Sequence, residues 1–166
     1  MPELTDPKQL FLHKLGATLT MEETVVTMLQ ELEQKANSTD LKEQLSHHRN
    51  ETEGQISNLT QAFSAAGKEP QRNPCPVIDG LEQEGKDTLQ QSSPELYDAV
   101  ILSGCAEVEH HEIAVYDGLI TLADELNLDD VVSLLKENLE QEEHTLKEVE
   151  KAFEKVAKEQ AERIPA

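Results

Sequence analysis

Four glutamates stand where apolar residues are expected. In the run Leu128, Val132, Leu135, Leu139, Glu142, Leu146, Val149, Phe153, Val156, spacings of three and four mark a buried helical stripe. Glu142 is its one charged member. Glu109 interrupts a similar run, Leu102, Ala106, Glu109, Ile113, Tyr116, Ile120, Ala123. Glu22 sits between Leu12, Leu15, Leu19 and Val26, Leu29. A fourth run is more polar: Leu41, Leu45, His48, then Glu51 and Thr52 sharing one position, then Gln55, Leu59 and Ala62. A buried, unpaired carboxylate costs several kcal/mol or takes up a proton. The central seams offer no Lys or Arg to pair with these four. A pair of divalent cations would remove the penalty, and carboxylate with imidazole suits iron or manganese. The competing reading places each glutamate at a bundle edge, where it reaches water.

Neighbouring residues fit more than one role. His48 precedes Glu51 by three and shares its helix face. It fits a metal ligand, a hydrogen-bonding support for a ligand, or a buried histidine with neither role. Glu112, three after Glu109, fits a further ligand or a solvated rim residue. Gln55 is placed to orient a carboxylate. Tyr116, seven after Glu109, reads as a core tyrosine, with a radical or hydrogen-bonding neighbour of the metals as the alternative. His47 and His144 read as surface residues, as does at least one of His110 and His111.

The elements that would position these residues follow from the breakers. Asn37-Ser38-Thr39-Asp40 is a turn that also offers a helix cap, and Gly67 to Pro76 stops any helix. Ser92-Ser93-Pro94-Glu95 reads as a cap with proline at the first helical position. Asn127-Leu128-Asp129-Asp130 is a second turn and cap. The pattern predicts four long helices, about 5–36, 39–66, 94–126 and 129–161, with a short helix at about 77–90. Two tight turns and one long connection give an all-α, ferritin-like four-helix bundle with one long crossover, forming one domain over 1–166. Glu22 lies 16 residues before Ser38 and Glu51 13 after it; Glu109 lies 18 before Asn127 and Glu142 15 after it. With a helical rise of ~1.5 Å per residue, the members of each pair differ by only about 4.5 Å in height. All four carboxylates can meet at one level.

Composition agrees. Aromatic residues make up 3% and there is no Trp, which favours helix over sheet. A formal net charge of −20 repels a phosphate backbone, so no nucleic-acid partner is expected. No apolar run approaches the ~20 residues that cross a bilayer, so no membrane partner is expected either. Met1-Pro2-Glu3 does not read as a signal peptide, and two cysteines, Cys75 and Cys105, are too few for a disulfide framework. A cytoplasmic location is the expectation.

Several stretches together resemble the YciF-like family of the ferritin-like superfamily, a group of bacterial stress-associated proteins. They are Phe11-Leu12-His13 with Met21-Glu22-Glu23, and His48-Arg49-Asn50-Glu51-Thr52 with Gln55. Cys75, Gly80-Leu81 and Glu84 match in the crossover. Val108-Glu109-His110-His111-Glu112-Ile113-Ala114 with Tyr116, and Leu134-Leu135-Lys136 with Leu139-Glu140-Gln141-Glu142, complete the set. The resemblance covers about residues 8–155. It implies a ferritin-like bundle, a homodimer, and a di-metal site related to those of rubrerythrins and manganese catalases, carried by Glu22, Glu51, Glu109 and Glu142. Many di-iron bundles have Glu-x-x-His motifs; this chain has Gly54 and Thr145 at the positions of those histidines. Relatives tend to carry Asp four residues after the last Glu, where this chain has Leu146.

Two functional expectations follow. In one, two iron or manganese ions, held by Glu22, Glu51, Glu109 and Glu142 with Glu112 and His48, handle peroxide, dioxygen or iron itself. In the other, the chain is a non-catalytic dimeric stress or scaffold protein with a structural or vestigial metal site.

Overall fold

A computed structural model describes residues 3–163, and among them only helices and connections occur. Helix α1 spans Pro7–Lys35, α2 Thr39–Ala65, α3 Pro76–Gln91, α4 Tyr97–Glu125 and α5 Asp129–Ala161. A 3₁₀ turn, Pro94–Leu96, leads into α4. The long helices thus match the expected ones closely. The α4 start moves inward because the proline at 94 nucleates the tighter turn first. The expected segments begin and end outside the described residues only where the domain was taken to span 1–166.

The helix ends show why the chain breaks where it does. The Asp6 carboxylate accepts from the Gln9 N–H at 2.8 Å, with Pro7 just inside the helix. The Ser38 hydroxyl accepts from the Leu41 N–H at 3.2 Å. Gly67 (φ 72°) and Asn127 (φ 56°) take the left-handed conformation that ends α2 and α4. At each end two backbone bonds close the last turn: Gly67 to Ser64 and Lys68 to Phe63, and Asn127 to Asp124 and Leu128 to Ala123. The Asn127 segment is therefore first a C-terminal cap of α4. No side chain caps the start of α5.

Helices α1 and α2 form one antiparallel hairpin, α4 and α5 the other. The hairpins meet through α1 against α4 and α2 against α5, and α3 leans on α4 and α1. This is the bundle with a single long crossover. The two hairpins are tied at one end by Asp98 at the start of α4. Its carboxylate accepts the Asn37 N–H at 2.6 Å and the Ser38 N–H at 3.0 Å. The crossover is fixed to α1 at Gly16. The Asn73 N–H donates to the Gly16 carbonyl at 3.0 Å, and the Asn73 amide donates to the His13 carbonyl at 3.0 Å. Arg72 pairs with Glu23 of α1 at 2.6 Å.

The core is in two parts. One apolar cluster holds Phe11, Leu15, Leu19, Leu59, Phe63, Leu119 and Leu135; the other holds Met21, Val25, Leu29, Leu41, Leu45, Ile101, Leu102 and Val149. Every long helix contributes to both clusters and passes from one to the other through a buried polar layer. The layer contains Glu22 on α1, His48, Thr52 and Gln55 on α2, Glu109 and Glu112 on α4, and Asn138, Glu142 and Thr145 on α5. The expected stripes were one residue out of phase in places. Leu12, Val26, Ala106, Ile113, Ile120, Leu139 and Leu146 are half-buried, and Phe11, Val25, Cys105, Glu112, Leu119, Asn138 and Thr145 are buried in their stead. The inward face is wider than a strict heptad seam, so adjacent residues share it. Among the described residues, no helix is long and apolar enough to cross a membrane.

Candidate metal centre

The polar layer brings carboxylates together from three of the four long helices and an imidazole from the remaining one. His48, Glu109, Glu112 and Glu142 each offer a ligand atom, and these atoms lie within 4.8 Å of one another. All four residues are buried. Position follows from helical spacing. Glu109 and Glu112, three apart on α4, project to the same side. His48 reaches them from α2 and Glu142 from α5.

Glu22 stands beside this group, fully buried on α1. One of its oxygens accepts from the Tyr116 hydroxyl at 2.5 Å. The Tyr116 oxygen in turn accepts from the Asn138 amide at 3.0 Å, and the Asn138 carbonyl oxygen accepts from Asn58 at 2.8 Å. Tyr116 is buried in the first apolar cluster, as the core reading has it, and its hydroxyl also reaches Glu22. Glu51 takes a different place. It sits at the rim, its side chain 24% exposed and 3.5 Å from His47. Thr52, which shared its position in the sequence pattern, is the fully buried one. Glu112 is buried rather than a solvated rim residue, and His48 faces the acids directly. His47, His110 and His144 are on the surface, as expected.

The electrostatics are those of an uncompensated anionic site. Among the described residues, His48 is the one basic group within salt-bridge distance of the buried acids, 3.2 Å from Glu109. That contact is not aligned as a hydrogen bond, since both atoms remain without a partner. Burial, followed by the charge of His47, lowers the His48 pKa to about 4, so the ring is neutral. Burial raises Glu22 to about 7 and Glu109 to about 8; the charges of Glu22 and Glu51 push Glu109 further up. Burial and then neighbouring carboxylates hold Glu112 and Glu142 well above the usual carboxylate range. Fully ionised, both oxygens of Glu109, Glu112 and Glu142, one of Glu22 and one nitrogen of His48 lack partners. Sharing a proton would pair Glu109 with Glu142 and Glu22 with Glu112. A neutral imidazole and several oxygens with free lone pairs are also what a hard or borderline divalent cation requires. The donor set therefore fits a metal.

Sequence reasoning missed Asn138 and took Thr145 only as a departure from the Glu-x-x-His pattern, not as a buried member of the layer. Both are ordinary surface types in a helix, and the available signal was their spacing, four before and three after Glu142. In the crossover, Cys75 is half-buried against the second apolar cluster and Glu84 is exposed.

Residues 6–162 match the family described as Domain of unknown function (DUF892). The chain is 31% identical over 140 residues to Protein YciF of Escherichia coli (strain K12), covering 83% of this chain and 84% of that protein. The crystal structure of the E. coli stress protein YciF superimposes with a TM-score of 0.88 at 27% identity, over 93% of this chain and 99% of that one. YcfI from Rhodopseudomonas palustris, described as a proposed structural protein, superimposes with a TM-score of 0.87 at 34% identity, over 89% and 95% of the two chains.

Proposed function

The chain belongs to the DUF892 family and is similar to YciF in sequence and fold, and from that premise we propose that it is a metalloprotein holding two iron or manganese ions in its polar layer. The observation that carries this reading is the group His48, Glu109, Glu112 and Glu142, four buried donors within 4.8 Å with no Lys or Arg among the described residues in salt-bridge contact with them. Glu22 and Glu51 complete the set from α1 and α2, Glu51 at the solvent side. When bound, such ions would supply electron transfer to peroxide or dioxygen, or would themselves be iron being oxidised.

The chain's own residues have separate tasks in this reading. Tyr116 holds one Glu22 oxygen and leaves the other free to face the centre. Asn138 fixes the Tyr116 hydroxyl from α5. Gln55 is buried in the same layer, and its backbone carbonyl accepts from the Asn138 amide at 3.3 Å. The two apolar clusters on either side exclude bulk water and strengthen every charge interaction in the layer. We place the protein in the cytoplasm as a homodimer, acting in a stress response; sedimentation of the purified chain tests the dimer.

Elemental analysis of tag-free protein for iron, manganese and zinc tests the site. About two ions per chain, lost in Glu142→Ala with helicity unchanged, is the expected result. A metal content near zero after anaerobic loading with ferrous iron or manganese would refute it. A second reading, a non-catalytic scaffold, is favoured by Gly54 and Thr145, which supply no histidine at the Glu-x-x-His positions. It predicts no peroxide consumption, with the metal either structural or absent.

A further inference from the structure

A cavity of about 530 Å³ lies under α3, between α1 and α4. That is within the size range of small-molecule sites. Its walls are largely apolar, with Val25 and Leu29 from α1, Leu81 and Leu89 from α3, and Ile101 and Val108 from α4. At its deep end stand His48 and Glu109. His48 is the sole α2 residue on the lining, so the space passes between α1 and α4 to the polar layer. Among the charged residues on the lining, Lys86 of α3 contacts Glu31 of α1 at 3.2 Å and Glu82 at 2.7 Å, and Lys35, Glu84 and Glu107 also border the space.

The glycines give a second, independent observation. In a helix interior glycine is less favourable than alanine, so it needs a reason to be there. At Gly16 the reason is close approach, since a Cβ would stand 2.6 Å from Asn73. At Gly54, Gly80 and Gly118 the residue is exposed. Gly85 of α3 and Gly104 of α4 have neither reason: both are half-buried, yet a Cβ at either would meet nothing within 4 Å. Both line this cavity. They keep open a volume that larger side chains would fill.

We propose that this cavity binds a neutral, elongated apolar molecule whose single hydrogen-bonding end meets His48 and Glu109. The walls select the apolar body. The free His48 nitrogen and Glu109 oxygens select a polar end that can donate and accept. An anionic end would have to give up its hydration to pass these apolar walls, which disfavours it. The inference deepens the metal-centre reading and rests on it for the fate of the bound molecule, which would lie with its polar end at the centre; binding itself requires no metal.

The test uses 1-octanol and octanoate as probes, with isothermal titration calorimetry on metal-free and metal-loaded protein. Metal-free wild type is expected to bind 1-octanol and to bind octanoate about tenfold more weakly or not at all. Gly104→Leu is expected to fill the space, keep its helicity, raise Tm, retain the wild-type metal content and weaken 1-octanol at least about tenfold. Gly104→Ala should bind nearly as wild type does. Absence of 1-octanol binding by wild type, equal binding by Gly104→Leu, or a dimer that Gly104→Leu dissociates would each overturn the proposal. Because metal content is measured in the same samples, a protein that binds 1-octanol but no metal refutes the metal reading alone.

Discussion

Raising the pH should destabilise the metal-free protein in a range where most proteins change little. A carboxyl whose pKa is raised on folding contributes full stability below its unfolded value and loses it as pH rises through the folded value. Here the ordinary value is 4.5 and the folded values are about 7 for Glu22 and about 8 for Glu109. Glu112 and Glu142 shift in the same direction. His48 acts oppositely but at lower pH, since its value falls from 6.5 to about 4 on folding. Its penalty appears as pH drops below 6.5, so above that it is neutral in both states. Between pH 6.5 and 8.5 the loss is therefore carried by the acids. Each pH unit through which one group binds a proton only when folded is worth 1.36 kcal/mol. Glu109 and Glu22 alone then give about 2–3 kcal/mol over this window. With a urea m-value near 2 kcal/mol/M, the midpoint should fall by about 1 M or more. Urea titrations in chelator at pH 6.5, 7.5 and 8.5 measure it. Glu109→Gln should flatten the slope and be the more stable protein at pH 8.5, and loading with manganese should remove the slope as well. A midpoint that is flat or rises with pH in metal-free wild type would refute the account of uncompensated buried acids.

Other changes test the supports. Gly16→Ala drives a Cβ to 2.6 Å from the Asn73 amide and 3.0 Å from the Gln71 carbonyl, and should cost about 1–3 kcal/mol by thermal denaturation. Tyr116→Phe removes the donor to Glu22 and the acceptor of Asn138; a loss of about 1–2 kcal/mol in the metal-free protein, with weakened metal binding, is expected by urea titration and equilibrium dialysis. Asp98→Ala leaves the Asn37 and Ser38 N–H groups without their acceptor and should lower stability by about 1–3 kcal/mol without changing metal content. Chelation at pH 6.5 should leave far-ultraviolet circular dichroism intact, because the two apolar clusters hold the helices; global unfolding by chelator would contradict this.

Much of the architecture was legible because its punctuation is chemical. Ser38, Gly67 and Asn127 do at the helix ends what their types allow, and Pro94 stands just inside a helical segment; Pro76, read as the end of a breaker, instead opens α3. The carboxylates were legible because charge inside an apolar period is conspicuous, which is how Glu22, Glu109 and Glu142 stood out. What escaped was azimuth. A one-residue shift along a wide buried face separates Glu51, at the rim, from Thr52, at the centre, and no local preference distinguishes them. Asn138 escaped for a related reason: its burial depends on Tyr116 and Gln55 reaching it from other helices. The tie between Asn73 and Gly16 joins residues far apart in sequence and leaves no periodic trace.

The division of the core has a consequence for how the sequence can vary. Phe63 and Leu135 belong to one cluster and Leu45 and Leu102 to the other, with the acids and amides between them. Polar groups there are satisfied by direction rather than by close-fitting volume, so a packing error in one half is poorly transmitted to the other. Truncations such as Phe63→Leu and Leu102→Ala should then be additive within about 0.5 kcal/mol. Each half is free to be repacked by successive substitutions on its own, while the layer between them changes slowly because its members depend on one another from all four long helices.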